Sequence, residues 1–197
     1  MDNKPLHFKL YKPFGIISQL NSKNPKELRK KKFLNALYSF PDGVMPIGRL
    51  DEKSEGLLLF TTDGKLSDDI NRSGVEKEYY AQLDGDISNE AIALLKKGVA
   101  IGFQGRCYVT KACRVHKLDA LPILPEADKK IRIGRHRPTS WISIILTEGK
   151  FRQVRKMTAA VGFPTLRLVR IRVGDITIEK LMPGEVKPLS NLTAKCE

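Results

Sequence analysis

The alternation of apolar and polar positions divides the chain into short strands and a few helices. His7–Tyr11 alternates and is stopped by the turn signal Lys12-Pro13-Phe14-Gly15. Asn24–Tyr38 reads as a basic helix with Pro25 in its first turn and Leu28, Phe33, Leu34 and Leu37 as its apolar positions. Leu57–Thr61 is a short buried strand closed by a turn at Asp63-Gly64, and Glu78–Asp84 alternates as a strand. Ser88 is placed to cap a helix reaching about Lys97, with Ile92 and Leu95 on its apolar face. Cys107–His116 alternates again, so that Cys107, Val109 and Cys113 share one side and read as core residues.

Asp119–Pro138 is rich in proline and charge and reads as a projecting loop. Ser140–Thr147 is an apolar strand, and Lys150–Val161 a helix ended by Gly162 and Pro164. Thr165–Val173 alternates so that Leu166, Leu168, Val169 or Ile171 face inward and its arginines outward. Strands follow one another closely without regular βαβ spacing or an internal repeat, which predicts an α+β sheet with antiparallel pairs.

Charge sharpens this picture. The 197 residues hold 35 Lys and Arg against 22 Asp and Glu, a net charge of +13, which points to a polyanionic partner. The surplus is uneven: Asp51–Leu95 holds 11 acids and 4 bases, a net of −7, and the remainder therefore carries +20. Bases concentrate in Lys23–Lys32, Lys129–Arg137 and Lys150–Arg172. Any one run fits a solvated face, but three runs of one sign favour a surface for a polyanion. Three cysteines (Cys107, Cys113, Cys196) form no CxxC pair, and three scattered histidines add no metal cluster. A reducing compartment, no metal and no disulfide framework are expected. The N-terminus has no apolar stretch long enough for a signal peptide, and nothing later approaches a membrane span, so a cytoplasmic protein is expected.

The most informative segment is Gly43–Gly64, GVMPIGRLDEKSEGLLLFTTDG. In Gly48-Arg49-Leu50-Asp51 a cation lies two residues from a carboxylate, beside a glycine and just ahead of a buried strand. A carboxylate held next to arginine stays ionised and serves as nucleophile or base. Taken alone, the tetrapeptide fits many surface loops.

In its wider context, GRLDxxSxGLLLFTTDG resembles the catalytic motif of the pseudouridine synthases of the RsuA/RluB/RluE/RluF type. The likeness continues in order through YKPFG at Tyr11–Gly15, KEYY at Lys77–Tyr80, and EGKFRQVRKMTAAVGFPTLRLVR at Glu148–Arg170. It is strongest toward the branch acting on large-subunit ribosomal RNA, through PTSW at Pro138–Trp141 and MTAAVGFPTLRL at Met157–Leu168. The resemblance implies isomerisation of a uridine in RNA without an external cofactor, with Asp51 as the essential catalytic residue and Arg49 beside it. It places the ring that meets the flipped base at Tyr79, preceded by Lys77. It assigns the arginine partner of the aspartate to Arg155, with Arg152 as second choice, and an apolar pocket position to Leu168, which fits an ordinary core leucine nearly as well.

Arg152, Arg155 and Lys156 lie at i, i+3 and i+4 of the expected helix and form one cationic stripe. With Lys77, Lys150, Arg167 and Arg170, Arg152 and Lys156 are the RNA-binding candidates. Lys150, Phe151 and Lys156 depart from the commoner GRNRQVRRM form; Phe151 adds stacking surface or merely packs. The family likeness implies a single catalytic domain over 1–197, two-lobed around a mostly antiparallel sheet. Its lobes would be roughly 1–70 and 71–197 with the cleft between them, and no S4 RNA-binding domain is expected. A monomer suffices. Competing readings are a transfer-RNA substrate, a non-catalytic RNA-binding or ribosome-assembly factor on the same fold, and, more weakly, a membrane-surface protein.

Overall fold

Alternation at the start of the chain builds an antiparallel ladder that carries the first half of the structure. The computed structural model describes residues 4–131, 133–134 and 137–193. Internal packing divides the chain into two units, Met1–Val75 with Arg170–Glu197, and Glu76–Val169.

The first unit contains strands β1 (His7–Lys12), β2 (Ile16–Ile17), β3 (Lys32–Phe33), β4 (Met45–Ile47) and β5 (Glu55–Thr61) and helices α1 (Pro25–Lys30) and α2 (Gly64–Arg72). β5 is buried at all seven positions. It pairs antiparallel with β1, Lys12 opposite Gly56 and His7 opposite Thr61, and with β4. Phe8, Leu10, Leu34, Leu58 and Phe60 form the core of this unit, with Phe40 stacked on Phe60 at 4.4 Å.

The expected helix over 24–38 is cut short. Asn24 caps α1 and no residue of α1 is buried; Lys31 is already extended. Phe33 and Leu34, 5% and 0% exposed, leave the helical path to enter the core, and Phe33 pairs in parallel with Ile17. Burying those two side chains outweighs extending a lysine-rich helix whose like charges repel. Asp63-Gly64 is not a simple turn either: the Asp63 carboxylate accepts from the Leu66 amide and caps α2, a helix the reading above lacks.

The second unit contains β6 (Lys77–Asp84), α3 (Asn89–Lys97), β7 (Ala100–Phe103), β8 (Arg106–Val109), β9 (Arg114–Lys117), β10 (Thr139–Leu146) and α4 (Gln153–Ala160). β10 lies antiparallel between β6 and β9. Leu83, Leu95, Val115, Ile142, Ile144, Val154 and Met157 form its core. Ser140 locks the corner before α3: its Oγ donates to Gly85 O at 2.8 Å and accepts from the Ile87 amide at 3.0 Å. Ser88 caps α3 as expected, accepting from the Ala91 amide at 3.2 Å.

Three expectations fail here. The alternating stretch from Cys107 to His116 is two strands, and its side facing solvent includes Cys107 and Val109, because β8 pairs with β7 in a two-stranded hairpin among the described residues. α4 starts three residues late, since Arg152 takes the left-handed conformation at φ 53°. β11 (Thr165–Val173) does not turn its arginines outward: Arg167 and Arg170 are 5% and 3% exposed. Arg167 donates to Pro125 O at 2.9 Å, so the loop after β9 covers it. From Arg170 onward β11 belongs to the first unit, followed by β12 (Ile176–Thr177) and β13 (Val186–Leu189), which pairs antiparallel with β1. Arg132, Arg135 and His136 of the second basic run, and Cys196, lie outside the described residues. No helix among the described residues is long and apolar enough to cross a membrane.

Two features of the first unit are unusual in energy. Gly56 has φ +105°, and a Cβ there would lie 2.3 Å from Arg170 O. Lys12 is 0% exposed, and burial, offset in part by Glu55, Asp51 and Glu52, pushes its amine down to about 7. Its Nζ donates to Pro13 O at 2.9 Å and Ile16 O at 2.8 Å, two bonds that a neutral amine retains.

Gly56→Ala is expected to lower stability by about 3 kcal/mol or more, read as a loss in urea midpoint, because strain and backbone overlap add at one site. For Lys12, the unfolded chain keeps the usual value of 10.5 against about 7 folded. Above about pH 7 the unfolded state therefore holds a proton the folded state has lost, and stability rises with pH. Cys113 opposes this above pH 9, its buried thiol being raised from 9.0 to about 11. The urea midpoint should rise between about pH 7 and pH 9, and Lys12→Met should flatten that rise. An unchanged slope in Lys12→Met would show that the buried amine is not its source.

Candidate active site

The loop between β4 and β5 carries Arg49 and Asp51, and its backbone is fastened on both sides of the carboxylate. Ser18, 3% exposed, donates from Oγ to Leu50 O at 2.7 Å and accepts from the Leu50 amide at 3.0 Å. On the other side of Asp51, the Glu52 carbonyl accepts from the Gly15 amide at 2.8 Å and from Lys12 Nζ at 3.4 Å. The Ser54 amide closes a turn onto Asp51 O at 3.0 Å, and Lys31 pairs with the Glu52 carboxylate at 2.6 Å. Gly48 enters the loop at φ +66°, where a Cβ would sit 2.9 Å from Asn71 Oδ1. The loop is thus preorganised, and the half-buried Asp51 is presented from a fixed backbone.

Beside it, Arg49 is exposed and lines an open concavity of about 430 Å³ with Ser18, Gln19, Asn21, Gly48 and Asn71. Beneath the loop, Glu55 and Arg170 are buried at 4% and 3% exposure, and Arg170 Nε donates to Leu57 O at 2.7 Å. Lys12 senses Asp51, Glu55 and Arg170 electrostatically, so these four charges form one group in the first unit.

In the second unit, Tyr79 is half-buried on β6 opposite Ile144, packed on the core cluster, with Lys77 two residues before it. Leu168 belongs to that same cluster at 5% exposure. Arg155 is half-buried on α4 and donates from Nη1 to Thr165 O at 3.1 Å. Lys156 donates to Gly102 O at 2.6 Å, and Lys150 Nζ lies over the rings of Phe103 and Tyr108 at 5.4 and 5.1 Å. Arg152 is exposed at the start of α4, whereas Arg167 and Arg170 have their guanidinium groups in the interior. Among the described residues no three His, Cys, Asp or Glu side chains gather as metal ligands.

Sequence reasoning passed over Lys12, Ser18 and Gln153. Lys12 stands in the YKPFG segment, where a lysine between an alternating strand and a proline turn reads as solvated. Ser18 carries no pattern of its own. Gln153 sits inside RQVRK, where the flanking charges draw attention away from a polar side chain that is buried, at 4% exposure.

Comparison with known proteins places this geometry. Residues 7–160, which include Asp51, Tyr79 and Arg155, match the family described as RNA pseudouridylate synthase. The ribosomal large subunit pseudouridine synthase E of Xanthomonas axonopodis pv. citri is 39% identical over 176 residues, covering 88% of each chain. Its counterpart in Vibrio parahaemolyticus is 37% identical over 180 residues, 90% of this chain and 71% of that one. A crystal structure of a pseudouridylate synthase superposes with a TM-score of 0.73 at 24% identity, covering 95% of this chain and 71% of that one, and so shares the fold. A family match over residues 7–160, and a relative 39% identical across 88% of its own length, leave one assignment: this chain belongs to the RNA pseudouridylate synthase family.

Proposed function

We propose that the chain converts a specific uridine of large-subunit ribosomal RNA to pseudouridine, with Asp51 as the catalytic carboxylate. The observation that carries this reading is the loop Gly48–Ser54, whose backbone is pinned by Ser18, Gly15 and Lys12 around a half-buried aspartate. The relatives are named for the ribosomal large subunit and the family for RNA, which together support large-subunit ribosomal RNA as the substrate class. Such a substrate places the reaction in the cytoplasm.

The reaction breaks the C1′–N1 bond, turns the base and forms a C1′–C5 bond; the C5 proton leaves to solvent and N1 takes one up, so the product is an isomer of the substrate. An ionised carboxylate at a fixed position serves it by adding to the sugar or base or by removing a proton. The uridine must leave its stack to be reached. Tyr79, half-buried and backed by core side chains, is the proposed ring against which it lies, and Arg155 the proposed arginine partner of the catalytic carboxylate. Lys77, Lys150, Arg152 and Lys156 are proposed to contact phosphate, in keeping with the +13 net charge. Arg167 and Arg170, sunk in β11, act on RNA only through the strand they stabilise.

Mapping pseudouridine in ribosomal RNA from cells with and without the gene should reveal one missing site. Asp51→Asn should lower turnover on that RNA at least ~10³-fold while RNA affinity stays near that of the wild type. If Asp51→Ala restores growth or assembly as well as the wild type, the chain works as a non-catalytic factor. Tyr79→Phe should keep most activity and Tyr79→Leu should lose it; equal activity in the two would remove stacking as the tyrosine's role.

A further inference from the structure

Phe151 has no part in the proposed reaction, yet its ring is 66% exposed on the turn before α4. An exposed ring forgoes the stabilisation that burial would bring, and here the turn that presents it is rigid. The Lys150 amide donates to Gln153 Oε1 at 2.9 Å, Gln153 Nε2 donates to Glu148 Oε1 at 2.6 Å, and the Gln153 amide returns to Lys150 O at 3.1 Å. Glu148 also accepts from the Tyr108 hydroxyl and the Lys111 amide. Burial works against its charge, but these donors prevail and hold its carboxyl below the usual range. Arg152 then takes φ +53°, a conformation that non-glycine residues keep only where their surroundings hold them in it.

One face of the ring is occupied. Lys156 Nζ stands 5.3 Å from the Phe151 centroid and is tied to Gly102 O at 2.6 Å. The opposite face is left to solvent. The Arg152 side chain is exposed beside it, with no hydrogen bond or ion pair among the described residues. Lys150–Lys156 holds four cations and no acid. A flat apolar face fixed among cations matches a molecule that offers planar rings joined by phosphates.

We propose that Phe151 is a stacking platform for an unpaired base of the RNA substrate, distinct from the uridine that reacts, with Arg152 and Lys156 pairing the adjacent phosphates. This rests on the reading of the chain as an enzyme acting on RNA. Every nucleobase has a π face, so the contact tolerates sequence and adds affinity and placement rather than readout of base edges. A ring already fixed loses little freedom on binding.

The test uses the full chain and large-subunit ribosomal RNA transcribed in vitro, measuring RNA affinity across salt concentrations together with kcat and KM for pseudouridine formation. Phe151→Leu keeps bulk and apolarity but not the aromatic face. It should weaken binding and raise KM by roughly 5- to 150-fold, with kcat changed less than about twofold and the salt slope unchanged. Phe151→Tyr should restore wild-type values, and Arg152→Ala should make the salt slope shallower by about 0.7. Wild-type affinity and KM in Phe151→Leu would overturn the proposal, as would a defect seen only with assembled ribosomal particles, which would mean a protein contact. If the wild type forms no pseudouridine in any RNA while Phe151→Leu still loses affinity, the stacking stands and the proposed reaction falls.

Discussion

Lys12 and Arg170 are basic side chains inside the first unit, 0% and 3% exposed, and the placement of Asp51 depends on how these polar ends are accommodated. Neither forms a hydrogen bond to a carboxylate among the described residues; both are held by backbone carbonyls. Lys12 binds those of Pro13, Ile16 and Glu52, and Arg170 binds that of Leu57. Charge buried at low dielectric is tolerable only where dipoles are already oriented toward it. The start of β5 and the loop before it therefore cannot shift without turning those carbonyls away from the two basic groups. The same packing fixes Gly56 against the Arg170 backbone, closing the loop's exit as Ser18 closes its middle. Rigidity at Asp51 is in this sense a by-product of satisfying two buried basic groups.

The acidic stretch Asp51–Leu95 takes on a different meaning once its side chains are placed. Several of its carboxylates are neutralised within their own unit: Asp63 caps α2, Glu76 pairs with Arg114 at 2.7 Å, and Asp84 with Arg137 at 3.3 Å. Such partly exposed pairs contribute little to stability, about 0–1 kcal/mol each. Their larger effect is to consume bases that would otherwise add to the cationic surface. What stays exposed and basic includes α1, which buries nothing, Lys129 and Lys130, and Arg152 at the start of α4.

Much of this was legible in the amino-acid pattern. β6, β10 and α3 follow from alternation, apolar continuity and the Ser88 cap, all local signals that tertiary packing did not contradict. The Asp51 loop was legible because its motif is contiguous. The failures share a cause in long-range burial. Phe33 and Leu34 desert a plausible helix for a core 16 to 26 residues away, at Ile17 opposite Phe33 and at Phe60. Arg167 and Arg170, three apart, stand on opposite faces of β11, and a loop or a neighbouring strand covers each of them. Cys107 and Val109 look like core residues because hairpin and sheet strands share one period, and periodicity does not say which face is covered. Lys12 was invisible for the opposite reason: nothing local announces a buried lysine.

The corner locked by Ser140 has a further consequence through its neighbour. Trp141, 8% exposed on β10, is the sole tryptophan of the chain and belongs to the unit Glu76–Val169. Its emission therefore follows the melting of that unit alone, while the strands and helices of both contribute to far-ultraviolet dichroism. Superimposable curves from the two signals would mean that both units unfold as one cooperative block; separated curves would resolve the part that carries Asp51 from the part that carries Tyr79 without any added label.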